Sequence, residues 1–185
     1  MTREEVKAEI RSRLAERGSV VVAIEGMCGA GKSTFAEELA REFDARLFRA
    51  DDYFLRPEQR TPQRLSEVGG NFDRERFFEE VAEPARQRCD ALCRRYFCST
   101  GTLSDSFSVP FTPVTVVEGS YCMHPGLGEY FDIGIFLQVS SDEQSRRIMQ
   151  RNGPQMHKRF INEWIPMENS YFQEMGIKSK CRFLL

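Results

Sequence analysis

The stretch Val20-Val21-Val22-Ala23-Ile24-Glu25-Gly26-Met27-Cys28-Gly29-Ala30-Gly31-Lys32-Ser33-Thr34 decides how the rest of the chain is read. Ser19 to Glu25 is short, β-branched and almost wholly apolar, as a central parallel strand buried on both faces requires. From Lys32 onward the period changes to that of a helix, with Phe35, Leu39 and Phe43 on one face and Glu37, Glu38 and Arg41 on others. Between the two lies a turn in which Gly26, Gly29 and Gly31 leave backbone N–H groups free to approach clustered negative charge, with Met27, Cys28 and Ala30 filling the remaining positions. The start of the helix, through Thr34, adds the positive end of its dipole. Lys32 reaches the β- and γ-phosphates of a nucleoside triphosphate, and the Ser33 hydroxyl can ligate Mg²⁺. Strand, glycine loop and helix together predict an ATP-binding phosphate cradle with Mg²⁺ as its companion ion.

Outward from the cradle the chain alternates strands and helices. A second strand runs from about Ala45 to Arg49, a third over Val114-Thr115-Val116-Val117-Glu118 and a fourth over Ile133 to Val139, with a fifth near Lys180 to Leu185. Helical spacing marks 1–17 (Val6, Ile10, Leu14), 74–93 with Asp73 as N-cap, 141–151 and 155–175. Residues 54–72, with Pro57, Pro62 and Gly69-Gly70, read as a long loop, and 94–112 as a hairpin or irregular flap. This order predicts an α/β fold, a P-loop NTPase three-layer α/β/α arrangement around a mostly parallel sheet of about five strands, with 1–185 as a single domain.

Composition narrows the partners. With 185 residues, 41% hydrophobic and 29% charged, the chain is large enough to bury its own core and too hydrophobic for extended disorder. Twenty-six Lys and Arg against 28 Asp and Glu leave no basic excess to hold a nucleic-acid backbone. No stretch has the roughly 18 apolar residues of a membrane span, and the charged N-terminus lacks the apolar centre of a signal peptide, so a cytoplasmic location is expected. Six cysteines occur without a Cys-x-x-Cys pair and read as reduced thiols, Cys89, Cys93 and Cys98 included.

Phosphoryl transfer needs a carboxylate to take the nucleophile's proton, a second to orient the metal ion, and mobile cations to neutralise the migrating group. Asp51 and Asp52 stand at the end of the second strand, where ligands bind in open parallel sheets, and either is a candidate base. Glu118 ends the third strand and suits a carboxylate facing the nucleotide through water or Mg²⁺. Arg147 and Arg151, four apart, share a helix face, and Asn152-Gly153-Pro154 then breaks the helix, as a hinged lid over 147–159 requires.

The segments VVAIEGMCGAGKST, RADDYFLRPEQRTPQRL, GGNFDRERF, VVEGSYCMHP, RRIMQRNGP and EWIPMENSYF resemble the uridine kinase-like branch of the P-loop kinases, related to phosphoribulokinase and pantothenate kinase. The resemblance covers roughly residues 19–183. It implies that Asp51 is the catalytic base, that Asp73 holds sugar hydroxyls, that Glu118 is the acidic end of a Walker B-like strand, and that Arg147 or Arg151 is the lid arginine. The family's base-reading hairpin falls on Arg95 to Ser99, with Tyr96 against the substrate, but the histidine common there in uridine kinases is absent. The expected activity is transfer of the γ-phosphoryl of Mg-ATP to a hydroxyl of a small molecule, a nucleoside first. The alternatives are a kinase acting on pantothenate, a sugar or a sugar phosphate, or a non-catalytic nucleotide switch. Against the switch, the chain has no Asn-Lys-x-Asp guanine-reading motif.

Overall fold

The computed structural model describes residues 1–185. In chain order, α1 (Arg3–Arg17) leads into β1 (Val20–Gly26), followed by α2 (Lys32–Glu42) and β2 (Arg46–Arg49). After β2 the chain makes a long excursion containing α3 (Pro62–Ser66). It then forms a bent rod of α4 (Arg74–Phe77), a π-turn (Phe78–Ala82) and α5 (Glu83–Gln87). Four short strands follow, β3 (Ala91–Cys93), β4 (Tyr96–Phe97), β5 (Thr102–Leu103) and β6 (Phe107–Val109), before β7 (Val114–Glu118) and β8 (Ile133–Leu137). The chain ends with α6 (Ser141–Arg159), a second π-turn (Phe160–Trp164), α7 (Ile165–Glu174), α8 (Ile177–Lys180) and β9 (Phe183–Leu184).

Five strands form one parallel sheet in the order β2-β7-β1-β8-β9. Every residue of β1, β7 and β8 is buried, which is why these runs lack the alternation of a half-exposed strand. Side chains leave β1 on alternate faces. Val20, Val22 and Ile24 pack under α1 and α2 with Val6, Ile10, Phe35 and Leu39, whereas Val21 and Ala23 join a cluster with Phe48, Phe77, Phe136 and Tyr171. The three-layer α/β/α arrangement is therefore as expected, and its strands match the predicted ones to within a few residues. No helix is long and apolar enough to cross a membrane.

Two stretches depart from expectation, 74–93 and 54–72, whereas 94–112 is hairpin as expected. The helix predicted over 74–93 stops at Gln87, because Arg88 turns left-handed (φ 57°) and the Cys89 N–H returns to the Pro84 carbonyl at 3.1 Å. Ala91 to Cys93 instead alternates buried and exposed as a strand paired with β6. Pro84 has no N–H to give the Glu80 carbonyl. The rod responds with the π-turn, in which the Glu83 N–H reaches Phe78 O, and the buried Cys93 thiol donates to Glu80 O at 3.3 Å.

The flap at 94–112 is a two-tier antiparallel arm, β3 on β6 and β4 on β5, rooted at Ala91. Residues 54–72 form more than a loop. Thr61 caps α3, Phe54 bridges to Phe72, and Arg64 holds the Gly70 and Phe72 carbonyls and Glu75. All six cysteines are unpaired, and Cys89, Cys93 and Cys98 are not gathered into a metal-binding group.

At Gly26 (φ 136°) a Cβ would lie 2.1 Å from the Leu137 carbonyl oxygen, whereas at Gly18 (φ 71°), the α1 cap, it would meet open space. Gly26→Ala should therefore lose about 3 kcal/mol or more. That corresponds to a fall in Tm of roughly 6–12 °C by calorimetry. Gly18→Ala should lose only about 1 kcal/mol.

Candidate active site

The cradle is anchored at both ends. At its start, Met27 N–H continues the β1 ladder to Leu137 O at 3.0 Å. Its last residue, Gly31 (φ 92°), is the N-cap of α2 and offers no side chain, so the first-turn amides of Lys32, Ser33 and Thr34 carry no side-chain cap. Lys32 folds back along the loop, its Nζ 2.6 Å from Gly26 O and 3.2 Å from Met27 O. Two later helices grip the cradle from outside. Gln144 on α6 donates to the Cys28 carbonyl at 3.0 Å and its sulfur at 3.3 Å, and Glu168 on α7 accepts the Cys28 N–H at 3.2 Å. Burial, reinforced by Glu168, pushes the Cys28 thiol up to about 12, so it stays protonated and unreactive.

The carboxylates stand beside the cradle because strand register puts them there. Glu118 is opposite Ile24 on β1 and Arg49 on β2. Burial pushes its carboxyl up and nearby Asp51 adds to this, while Lys32, Arg49 and the Ser33 hydroxyl oppose it. Arg49 bridges Glu118 at 3.2 Å and Glu37 at 2.7 Å, a contact that the sequence reading missed.

Asp51 and Asp52 sit on a one-turn 3₁₀ helix, Ala50–Tyr53. Asp52 is half-buried, its carboxyl raised chiefly by desolvation, and its Oδ2 lies 3.7 Å from Arg95. Asp51 is exposed and makes no ion pair. Lys32, Ser33, Asp51, Glu118 and Arg49 thus converge on one end of the sheet.

The two arginines expected on a lid part company. Arg147, held by Glu143 at 2.7 Å, reaches Gly29 O in the cradle at 3.0 Å. Arg151 instead meets Asn152 and the Phe160 ring. Gly153 (φ 75°, ψ 173°) breaks α6 as expected, and His157 closes across the break to Ser145 at 2.7 Å. Asp73 caps α4 as expected, but it is buried, with its oxygens on the backbone N–H and Nε of Arg76, each at 3.3 Å. Tyr96 is buried too, and its hydroxyl takes Arg60 at 3.3 Å.

Glu25 was legible as the one charged residue in an apolar strand, yet the sequence assigns it no role. It is fully buried beneath the cradle, with Oε1 accepting Met123 N–H at 3.0 Å and the Tyr171 hydroxyl at 2.8 Å, and Oε2 unpartnered. Desolvation raises its carboxyl to about 7, against hydrogen bonds and Lys32 that lower it. A folded pKa above the unfolded one means that the native state binds the extra proton. The stabilisation is therefore full below the unfolded value and is lost as pH rises toward 7. Glu25→Gln should gain stability relative to wild type as pH rises from 5 to 7.5, by up to roughly 3 kcal/mol. Parallel pH-dependent urea melts of the two proteins read the difference, and superimposable pH profiles would assign the buried proton elsewhere.

No family model matches the chain, and no curated protein does. Solved structures do. A possible uridine kinase from Bacillus stearothermophilus superposes with a TM-score of 0.73 at 17% identity, over 99% of this chain and 98% of that one. The YGR205w protein gives 0.63 at 14%, over 92% and 86%. YFH7 from Saccharomyces cerevisiae, described as a candidate P-loop kinase with a circular permutation, gives 0.65 at 11%, over 95% and 96%. At these identities the likeness is one of fold. The chain shares the overall fold of these structures.

Proposed function

We propose that this protein is an ATP-dependent small-molecule kinase, moving the γ-phosphoryl of Mg-ATP to a hydroxyl of a nucleoside-like acceptor. The observation that carries the reading is the convergence of Asp51, Glu118, Ser33 and Lys32 at the end of the parallel sheet, beside an uncapped helix start. A phosphate-binding turn alone needs no exposed, unpaired carboxylate at the end of a strand two places away in the sheet. The unpaired thiols suit a reducing cytoplasm, and the even charge balance suits a small acceptor rather than nucleic acid.

The residues fit Mg²⁺. The Ser33 hydroxyl and the buried Glu118 carboxylate offer the one or two protein oxygens this ion takes alongside water and phosphates, so no cluster of three ligands is required. When bound, the ion neutralises charge on the phosphates. Lys32, once released from the Gly26 and Met27 carbonyls, faces the β- and γ-phosphates, and Arg147 sits against the loop that carries them. Asp51 accepts the acceptor hydroxyl's proton as its oxygen attacks phosphorus, and the bond from phosphorus to the β–γ bridging oxygen breaks in line to release ADP. Of the two resemblance-derived substrate contacts, Asp73 acts through oxygens shared with Arg76, and Tyr96 stands on β4 within the arm that faces the acceptor.

Acceptor-dependent ADP release across a panel of nucleosides, pantothenate, sugars and sugar phosphates tests the activity and names the acceptor. With that acceptor, Asp51→Asn should lower kcat about 10²–10⁴-fold. Affinity for a fluorescent ATP analogue should be retained. Unchanged turnover in Asp51→Asn would remove Asp51 from the role.

A further inference from the structure

Arg76 has no part in the chemistry above, yet it is buried and every edge of its guanidinium is engaged. Nε donates to Asp73 Oδ2 at 3.3 Å, Nη1 to the Arg94 carbonyl at 2.7 Å and Glu80 Oε2 at 3.4 Å, and Nη2 to the Asp52 carbonyl at 2.7 Å. Its flat face lies 4.2 Å from the centre of the Tyr53 ring, which packs edge-on against Phe77. The sequence places it there: as third residue after the Asp73 cap it faces back along α4, with Glu80 one turn on. Glu80 in turn accepts the Arg94 N–H at 2.9 Å and pairs with the Arg94 side chain at 2.8 Å.

Two of these partners are backbone carbonyls from two segments that also meet directly, where Arg95 Nε lies 3.7 Å from Asp52 Oδ2. Asp52 lies in the acidic turn after β2, and Arg94 lies in the hairpin arm between β3 and β4. A planar fork can hold both carbonyls and a carboxylate at once, whereas the compact ammonium of lysine cannot. Desolvating a guanidinium is costly, and here the cost is offset by four hydrogen bonds, two of them to buried carboxylates.

We propose that Arg76 is a positioning residue which joins the Asp51–Asp52 turn, the Asp73 cap and the root of the hairpin arm into one mechanical unit. Resting on the assignment of Asp51 as the base, its consequence for phosphoryl transfer is that arm and base move together, so an acceptor seated against the arm meets the base in a single geometry. A displacement of about 1 Å in such an arrangement can cost roughly 10²-fold in rate.

Hydrogen exchange tests the joint without any acceptor. In the wild-type protein, the amides of Leu55 and Asp73, bonded to Asn71 and Tyr53 carbonyls, and those of Arg94 and Arg95, bonded to Glu80 and Ser104, should open as one cooperative unit. In Arg76→Lys both pairs should exchange at least about tenfold faster, while α2 is unchanged and a fluorescent ATP analogue binds within about twofold of wild type. Arg76→Gln replaces it if the lysine variant does not melt cooperatively. With the acceptor found by the panel, kcat should fall about 10–100-fold at unchanged KM for ATP. Independent opening of the two pairs in the wild type, or acceleration confined to 74–87, overturns the joint whatever the turnover. Coupled opening without acceptor-dependent ADP release supports the joint and counts against the kinase reading instead.

Discussion

The contact between Gly26 and the Leu137 carbonyl is the constraint from which the site follows. The backbones of β1 and β8 approach there so closely that no side chain fits, and the Met27 N–H is spent on the same carbonyl. The loop therefore leaves the sheet at one point and in one direction. Lys32 finds the carbonyls of Gly26 and Met27 only because the loop turns back over them, and α2 starts with its amides open only because Gly31 takes a left-handed conformation that a side chain would resist. The helices added last in the chain complete the grip, Gln144 from one and Glu168 from the next.

Around that anchor the charges are unevenly distributed. Glu25, Asp51, Asp52, Glu118 and Glu168 gather near the sheet end, against Lys32, Arg49 and Arg147. Burial raises three of these carboxyls, and mutual repulsion contributes at Glu25, Asp52 and Glu118. Such a place repels a bare polyanion and welcomes one that arrives with divalent metal. The crowding of carboxylates and the glycine-rich loop thus share one end of the sheet, with Lys32, Arg49 and Arg147 as the cations set among them.

The sheet was legible in the sequence because parallel strands buried on both faces must be continuous apolar runs, and β1, β7 and β8 are. The cradle was legible because its glycines, lysine and serine act through backbone and charge at fixed spacing. What escaped depended on contacts between distant segments. Arg49, Glu168 and Arg76 look like ordinary surface charges until the register of β2 on β7, or the docking of α7 and the hairpin arm, gives them partners. The helix over 74–93 was overextended because Ala85, Cys89 and Cys93 keep a helical period past the point where Arg88 reverses the backbone. Arg147 and Arg151 share a face by spacing, but only the arginine a turn closer to the cradle reaches it.

The hairpin arm leaves and re-enters the body at neighbouring points, since Ala91 pairs directly with Val109. Chain between those two residues can lengthen or shorten without moving either end. Loop-closure entropy grows only logarithmically, by about 0.6 kcal/mol for each doubling of length. The arm contributes no strand to the five-stranded sheet. In an evolving lineage, insertions and deletions between Arg95 and Phe107 would remodel the arm while leaving its two attachment points and the five-stranded sheet in place.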